Sequence, residues 1–408
     1  ESDMAVGKDY FPEMHPVAGF KLGTTSASIK TPGRKDLVIM SMAEGSTVAG
    51  VFTKNAFCAA PVQLSKAHLD KAESRYFVIN TGNANAGTGE QGKQDAKTMC
   101  ESLAEIAQVA TEAVLPFSTG VIGEPLPVSK IVAALPAAYA DLSESGWTDA
   151  ALGILTTDTR IKGSSVQLQL KNKAVAITGI AKGSGMIKPN MATMLSYVAT
   201  DIAINPPLLQ QLVSDAVEAS FNRITVDGDT STNDCAMLVA TGASGVEYSE
   251  LSEVEQLLFN TQLNQLFISL AHQIIQDGEG ATKFVAVEVS GGKNSAESLT
   301  VAYTVAESPL VKTALFASDP NWGRILAAIG RAGISDLDVD KIQVYLDDVL
   351  IAEKGGRADS YSEADGQAVM DQEEISIRIT LNRGDAEETV WTTDLSHDYV
   401  KINAEYRT

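Results

Sequence analysis

The composition of the chain is that of a globular protein. Of its 408 residues, 44% are hydrophobic and 20% are charged. These proportions exclude a disordered or fibrous chain and leave room for two domains or one large layered domain. The 52 acidic and 31 basic residues give a formal net charge of −21. A field of that sign repels nucleic acids and anionic membranes, so we expect neither as a partner.

The same composition bears on location and on catalytic chemistry. No apolar run reaches the ~18–20 residues of a membrane-spanning helix, and the first residues lack the basic and apolar stretches of a signal peptide. The three cysteines are far apart, which predicts free thiols in a reducing compartment. The chain has four histidines and they do not cluster in the sequence. Their small number favours a nucleophile that needs no histidine as its base. We expect a cytoplasmic protein without a bound metal.

The first half of the chain is predicted to contain several strands and one long helix. Apolar alternation or continuous apolar runs predict strands over residues 36–44, 47–53, 74–80, 165–170, 174–180 and 195–204. Helical spacing of apolar residues predicts a helix over residues 94–110. Only Lys-Asn-Lys separates 165–170 from 174–180, and this short connection predicts a β-hairpin.

The second half begins with a clear helix signal. Asn205 can cap a helix whose first turn holds Pro206 and Pro207, and the pattern continues to about residue 221. The remaining predictions are two helices within 251–275, a hairpin of strands 283–290 and 298–306, a helix over 321–332, and strands over 341–350, 374–381 and 388–395. Many hairpins with few helices indicate the α+β class.

Residues 87–94 look like a phosphate-binding loop. The segment follows a predicted strand, opens a helix, and places four residues between Gly87 and Gly92, with Lys93 next. A nucleotide-binding loop then needs Ser or Thr to hold Mg²⁺, and the residue here is Gln94. We interpret the segment as a tight loop before a helix, with a non-enzymatic nucleotide-binding module as an alternative.

Residues 227–234 are rich in oxygen ligands. An EF-hand loop that began at Asp227 would need Gly at its sixth position and Glu at its twelfth. Those positions hold Thr232 and Leu238. Asx and Ser/Thr turns account for such a segment, so we predict a structural role for it.

Residues 181–195 join a glycine turn and an irregular Pro-Asn stretch to Thr193, just before a predicted strand. The composition alone fits a loop that enters a strand. A threonine hydroxyl is a poor nucleophile unless a base removes its proton. A chain break before Thr193 would free an α-amine, whose usual pKa of about 7.7–8 suits that task. The residues allow this chemistry without demonstrating it.

The sequence of this segment, KGSGMIKPNMATML, closely resembles the self-cleavage motif of the ornithine acetyltransferase family, the glutamate N-acetyltransferases of arginine biosynthesis. The resemblance continues nearly from end to end. The other matching motifs are VAGVFTKNAFCAAP (48–61), NTGNANAGTG (80–89), STGVIG (118–123), TTDT (156–159), SFNRITVDGDTSTNDC (220–235), DGEGATK (277–283), DPNWGR (319–324) and YVKINAEYRT (399–408). A series of long motifs in one order is far more specific than a single glycine pattern.

The resemblance implies a self-cleaving acetyltransferase. The precursor would cut itself between Ala192 and Thr193 into an α chain, residues 1–192, and a β chain, residues 193–408. Thr193 would then take the acetyl group from N-acetylornithine and pass it to glutamate in a ping-pong reaction. No bound cofactor is implied. We expect the bifunctional type, in which acetyl-CoA is a second acetyl donor.

The resemblance also implies the site residues. The oxyanion hole corresponds to the Thr119 hydroxyl and the Gly120 N–H. The substrate contacts correspond to Thr156, Lys182, Thr193, Glu279, Asn403 and Thr408. Lys182 can pair with an α-carboxylate, and Glu279 can pair with the side-chain ammonium of ornithine. The positions of Asn403 and Thr408 require the C-terminal segment to fold back over the site.

The family fold is an α+β sandwich, with sheets packed between helix layers, which related self-cleaving aminopeptidases share. The usual assembly is an α2β2 heterotetramer. One enzymatic alternative stays open on this scaffold, an N-terminal-nucleophile amidase or aminopeptidase. It differs from the acetyltransferase only in whether water or glutamate resolves the acyl-enzyme.

Overall fold

The computed structural model of the chain describes residues 5–188 and 194–406. Its internal contacts divide the chain into two units. The large unit comprises Tyr10–Asn222 and Asp229–Ile274, and the small unit comprises Glu1–Asp9, Arg223–Gly228 and Ile275–Thr408. The predicted cleavage position falls within the sequence of the large unit, so both predicted chains would contribute to that unit.

Strands and helices alternate along the chain. The strands are β1 (Phe20–Thr25), β2 (Leu37–Met42), β3 (Thr47–Phe52), β4 (Tyr76–Asn83), β5 (Val114–Val121), β6 (Lys162–Leu170), β7 (Lys173–Lys182), β8 (Leu195–Thr200), β9 (Ile224–Thr225), β10 (Cys235–Ala240), β11 (Phe284–Gly292), β12 (Gln343–Leu346), β13 (Val349–Glu353), β14 (Gly356–Arg357), β15 (Glu374–Thr380) and β16 (Ala386–Thr393). The helices are α1 (Ala60–Lys71), α2 (Gly89–Ala107), α3 (Val128–Ala140), α4 (Trp147–Gly153), α5 (Pro206–Ala219), α6 (Glu253–Gln276), α7 (Ser295–Ala306), α8 (Pro309–Phe316), α9 (Trp322–Gly330), α10 (Glu363–Met370) and α11 (His397–Glu405).

The large unit is a layered sandwich. One sheet has the order β1-β2-β4-β5 and the other β3-β10-β8-β7-β6. Aromatic rings fill the space between the sheets: the ring centroid of Tyr197 on β8 lies 5.9 Å from that of Phe77 and 5.3 Å from that of Phe117. Helices α2 and α3 cover the other face of the first sheet, and α5 packs on β3 and β10. The predicted α+β class is confirmed.

The small unit has one sheet, in the order β14-β13-β12-β15-β11-β16-β9. Apolar residues of its central strands pack with those of α7, α8 and α9 in one core. Strand β11 is paired on both edges, in parallel with β15 and antiparallel with β16.

That double pairing explains one wrong prediction. Residues 298–306 were expected to be the second strand of a hairpin with β11, but they belong to helix α7. Asn294 caps this helix by accepting the N–H of Glu297 at 2.9 Å, and Val301 and Val305 bury one helical face. With both edges of β11 occupied, the sheet has no place for another strand beside it.

Some of the other predictions are confirmed and two are wrong. The single strand expected over 341–350 is instead two antiparallel strands, β12 and β13. The hairpin of β6 and β7 is confirmed, with Leu170 opposite Lys173 at its closed end. Asn205 caps α5 as predicted, because its side chain accepts the N–H of Leu208. The two helices expected within 251–275 form the single helix α6.

No helix within residues 5–188 and 194–406 combines the length and apolar content that crossing a membrane requires. The predicted free thiols are confirmed for all three cysteines, Cys58, Cys100 and Cys235.

Candidate active site

Strand β5 carries the predicted oxyanion hole near its end. Thr119 is buried, and Gly120 follows it with a φ of 136°, in a region that side chains disfavour. Strand β4 runs parallel to β5 there, and a Cβ on Gly120 would lie 2.5 Å from the backbone nitrogen of Asn83. Both conformation and space therefore require glycine at position 120.

Lys182 brings two of the predicted site residues together at the end of β7. Its side chain is almost fully buried, and its Nζ donates hydrogen bonds to Thr119 Oγ1 at 3.1 Å and to Thr156 Oγ1 at 2.9 Å. An ammonium group only donates, so the Thr119 hydroxyl accepts this bond and keeps its own hydrogen to donate elsewhere. A hydroxyl held in this way can stabilise negative charge on a substrate oxygen.

A buried carboxylate compensates the charge of Lys182. The Asp158 side chain is fully buried and forms a 2.6 Å ion pair with Lys162, and it accepts the N–H of Gly183 at 2.8 Å. Burial raises the pKa of Asp158, but the positive charges of Lys162 and Lys182 outweigh burial and hold that pKa well below its ordinary value. Asp158 is therefore an anion that interacts with two lysines.

Strand β8 begins beside Lys182. Lys182 lies opposite Leu195 in the antiparallel pairing of β7 with β8. Met194, the residue before β8, is fixed through its backbone: its N–H donates to Asp234 Oδ1 at 2.8 Å, and its carbonyl accepts the N–H of Cys235 at 3.2 Å. The start of β8 is thus held next to Lys182, which contacts Thr119 on β5.

Asn233 ties the same region to β5. Its side-chain amide donates to the carbonyl of Ala84 at 2.7 Å and to the carbonyl of Ser118 at 2.8 Å. Ser118 directly precedes Thr119. Asn233 therefore positions β5, and the next residue, Asp234, positions the start of β8.

In the small unit, two predicted substrate contacts meet. The Asn403 side chain, on α11, donates to Glu279 Oε2 at 2.7 Å and to the carbonyl of Tyr399 at 2.9 Å. Glu279 is buried. An amide thus orients a carboxylate, which is a group suited to a cationic ligand.

A close backbone approach holds α11 on the loop of Glu279. Ser396 Oγ donates to the carbonyl of Gly280 at 2.7 Å. Gly280 has a φ of 70°, and a Cβ there would lie 2.6 Å from the Tyr399 nitrogen. Within the small unit, α11 is therefore packed on the loop of Glu279 as far as Asn403, and the fold-back over the whole predicted site stays a prediction.

The predicted site residues fall into three groups. Thr119, Gly120, Thr156 and Lys182 lie together in the large unit. Glu279 and Asn403 are joined in the small unit. Ala192, Thr193 and Thr408 lie outside the described residues.

In the loop that resembles a phosphate-binding site, side chains form hydrogen bonds with each other and with the backbone of the same segment. Thr88 Oγ1 donates to Asn85 Oδ1 at 2.8 Å, and Asn85 Nδ2 donates to the Gly92 carbonyl at 2.9 Å. A Cβ on Gly92 would lie 2.6 Å from Asn85 Oδ1. Lys93 pairs with Glu90 at 3.0 Å on the exposed side of α2. Gly92 is explained by packing, and the interpretation as a tight loop before a helix is confirmed.

The oxygen-rich segment also makes structural contacts. Ser231 Oγ accepts the N–H of Asn233 at 3.2 Å, and Thr232 Oγ1 donates to Asn233 Oδ1. In the small unit, the Tyr399 hydroxyl donates to Asp227 at 2.9 Å.

Comparison with known proteins shows which family the chain belongs to. The model of the ArgJ family matches residues 21–408 of the chain. This chain belongs to the ArgJ family. Membership confirms the expected acetyltransferase of arginine biosynthesis.

Curated relatives agree with that assignment. A Pseudomonas fluorescens protein named arginine biosynthesis bifunctional protein ArgJ is 61% identical over 408 residues, which is 99% of this chain and 100% of the relative. The protein of the same name from Pseudomonas syringae pv. tomato is 60% identical over the same shares. The crystal structure of the protein so named from Bacillus halodurans matches with a TM-score of 0.49 and 38% identity, over 52% of this chain and 99% of that one.

Sequence reasoning missed two carboxyl groups of this ArgJ family site. Asp158 lies within the TTDT motif and was assigned no role, and Asp234 lies within the oxygen-rich segment, for which only a structural role was predicted. No spacing in the sequence marks a carboxyl as buried, and the lysines that face Asp158 come from two different strands.

Gly120→Ala should damage the oxyanion hole. The new methyl would collide with β4, move the Gly120 N–H, and lower kcat/KM for acetyl transfer by about 100-fold or more. Gly123→Ala is the matched control: Gly123 has a φ of 85°, but nothing lies within 4 Å of its Cβ position. Equal losses of kcat/KM in the two variants would contradict the assignment.

Asp158→Asn should destabilise the large unit in a pH-dependent way. Removing one partner of a buried ion pair costs about 3–5 kcal/mol. Because the pKa of Asp158 is lowered by folding, its contribution is fully present above its unfolded pKa of about 3.9 and is lost as the pH falls below that value.

Urea unfolding of both proteins between pH 3 and pH 8 checks this prediction. The difference in unfolding free energy between wild type and Asp158→Asn should be constant above about pH 5 and should shrink below about pH 4. A difference that stays the same down to pH 3 would show that Asp158 is not the anion described above.

Proposed function

We propose that the chain is a self-cleaving enzyme that moves an acetyl group from N-acetylornithine to glutamate through Thr193. Cleavage between Ala192 and Thr193 leaves an α chain of residues 1–192 and a β chain of residues 193–408. The α-amine of Thr193 then takes the proton of the Thr193 hydroxyl, which attacks the acetyl carbonyl. Membership of the ArgJ family supports this chemistry.

The observation that carries the proposal is the pair of hydrogen bonds from Lys182 to Thr119 and Thr156. They hold a charged ammonium and an oriented hydroxyl beside the strand that starts two residues after Thr193. This is the combination that acyl transfer requires: a nucleophile, and donors for the oxygen on which negative charge develops.

The proposed reaction has two halves. The Thr193 oxygen bonds to the acetyl carbon, the Thr119 hydroxyl and the Gly120 N–H stabilise the oxyanion, and ornithine leaves as its amine takes the proton held by the α-amine. The amine of glutamate then attacks the acetyl ester and releases N-acetylglutamate. One amide replaces another, so the exchange needs no further energy source.

Substrate recognition follows from charge. We assign the α-carboxylate shared by both substrates to Lys182 and Thr156, and the side-chain ammonium of ornithine to Glu279. The hydrogen bond from Asn403 to Glu279 supports a fixed orientation of that carboxylate. Thr408 completes the proposed set of contacts.

Three further features belong to the proposal. The enzyme binds no cofactor and uses acetyl-CoA as a second acetyl donor, in keeping with the word bifunctional in the names of its relatives. Its chains assemble as an α2β2 heterotetramer. It works in the cytoplasm, where its three free cysteines would stay reduced.

The proposal predicts a trapped acetyl-enzyme. Incubation with N-acetylornithine alone should add the mass of one acetyl group to the fragment that begins at Thr193 and release one equivalent of ornithine. Glutamate should then remove that mass and yield N-acetylglutamate. Steady release of acetate without glutamate would instead identify an amidase.

A lysine pair provides the control. Lys182→Met should lower kcat/KM for N-acetylornithine by about 100-fold or more. It removes both the ammonium group proposed to bind the substrate α-carboxylate and the hydrogen bond that orients Thr119. Lys173→Met, at the exposed opposite end of β7, should leave this kcat/KM unchanged. Equal effects of both substitutions would contradict the role of Lys182.

A further inference from the structure

Asp394 is a buried carboxylate that holds the loop after Glu279. It follows β16 directly and is 2% exposed. Its Oδ1 accepts the N–H of Thr282 at 2.8 Å and the N–H of Lys283 at 2.9 Å, and its Oδ2 accepts the Thr282 hydroxyl. Hydrogen bonds to a carboxylate are roughly twice as strong as those between neutral groups. Asp394 therefore fixes the backbone that comes directly after the turn of Glu279.

The turn of Glu279 packs on the end of β16 as well. The Ala281 N–H donates to the carbonyl of Gly278 at 2.9 Å, which encloses Glu279 in a tight turn. A Cβ on Gly278 would lie 2.9 Å from Thr393 Cγ2, so the turn begins in close contact with the residue before Asp394. Contacts at Thr393 and Asp394 thus restrain the turn on both sides of Glu279.

The segment that contains Asp394 also holds helix α11. Ser396 Oγ donates to the carbonyl of Gly280 at 2.7 Å and accepts the N–H of Tyr399 at 3.3 Å, so it joins the turn to the first residues of α11. Asn403 of that helix donates to Glu279 Oε2. Residues 394–396 therefore position both members of this hydrogen bond.

A buried lysine compensates the charge of Asp394. Lys312 on α8 is 4% exposed, and its Nζ donates to the carbonyl of Thr393. Burial lowers the pKa of Lys312 to about 8, while the negative charges of Asp394, Asp227 and Glu307 oppose that effect. Either charge alone would be costly to bury. The ammonium therefore stabilises a carboxylate at position 394.

We infer that Asp394 is a positioning residue for ornithine recognition, because it fixes the loop on which Glu279 meets the side-chain ammonium of the substrate. This inference rests on the proposed function, which assigns that ammonium to Glu279. Asp394 acts through the backbone of residues 282 and 283 and not by contact with the substrate. A misplacement of about 1 Å in a binding group can lower a rate by about 100-fold.

Two acetyl donors separate positioning from general damage to the fold. N-acetylornithine has a side-chain ammonium, whereas N-acetylglutamate has none. The second half of the proposed reaction is reversible, so N-acetylglutamate also donates its acetyl group. Transfer to radiolabelled glutamate gives kcat/KM for each donor. A loss of folded protein lowers both values equally, whereas a misplaced Glu279 lowers the ratio of the N-acetylornithine value to the N-acetylglutamate value.

Asp394→Ala should lower this donor ratio by at least about 10-fold, the effect of weakening a hydrogen bond to a charged group. Asp347→Ala is the matched control. Asp347 also belongs to the small unit, and its Oδ1 accepts the N–H of Ser376 at 2.8 Å, but it lies between β12 and β13. This control should keep the wild-type ratio. An unchanged ratio in Asp394→Ala, or an equal fall in both variants, would overturn the inference.

A pair of milder substitutions decides the case in which Asp394→Ala does not fold. Thr282→Val removes the hydroxyl that donates to Asp394 and keeps the backbone N–H, so the donor ratio should fall by about 3-fold or more. Thr282→Ser keeps the hydroxyl and should keep the ratio. Equal ratios in these two variants would overturn the inference.

Failure of the proposed function would give a different result. A wild-type protein that transfers acetyl from neither donor, or whose donor ratio is the same in Glu279→Gln, would overturn the function assigned above. A ratio that falls in Glu279→Gln and stays at the wild-type value in Asp394→Ala would overturn the inference alone.

Discussion

The buried charges around Lys182 are the constraint on which the rest of the site depends. Removing an ammonium group from water costs several kcal/mol unless an opposite charge compensates it. Asp158 supplies that charge for both Lys182 and Lys162. The hydrogen bond that Lys182 donates to Thr119 leaves the hydrogen of that hydroxyl available to donate, as the proposed oxyanion hole requires.

Two aspartates of the large unit show how environment decides chemistry. Asp158 interacts with two lysines, whose charges hold its pKa well below the ordinary value. Asp234 is fully buried, and burial raises its pKa well above the ordinary value despite the Met194 N–H on its carboxyl and the charge of Lys182. The first stabilises charges that are already present. A sequence writes both as the same letter.

Much of the fold was predictable because the local signals were strong. The hairpin of β6 and β7 and the Asn205 cap of α5 both follow from short-range patterns. Helix α7 was mistaken for a strand because its Thr and Val residues favour strands, and only the occupied edges of β11 exclude that outcome. Such an exclusion is a property of the assembled sheet and cannot be read locally.

The site residues likewise divide into features that motifs could predict and features that depend on the assembled fold. Family motifs predicted Thr119, Thr156 and Lys182 one by one, but the contact between Lys182 and Thr119 joins residues 63 positions apart. The ionised state of Asp158 depends on a salt bridge within the fold, and the raised pKa of Asp234 depends on its burial. Motifs identify residues, whereas burial and pairing determine protonation states.

The central claim is that Thr193 becomes a nucleophile by freeing its own α-amine. Intact mass spectrometry of the wild-type protein beside Thr193→Ala tests it most directly. The account predicts two wild-type fragments that meet between Ala192 and Thr193, and one full-length chain for the variant. A wild-type protein that stays a single chain while it still transfers acetyl groups would contradict the account, because its Thr193 would have no free amine to serve as base.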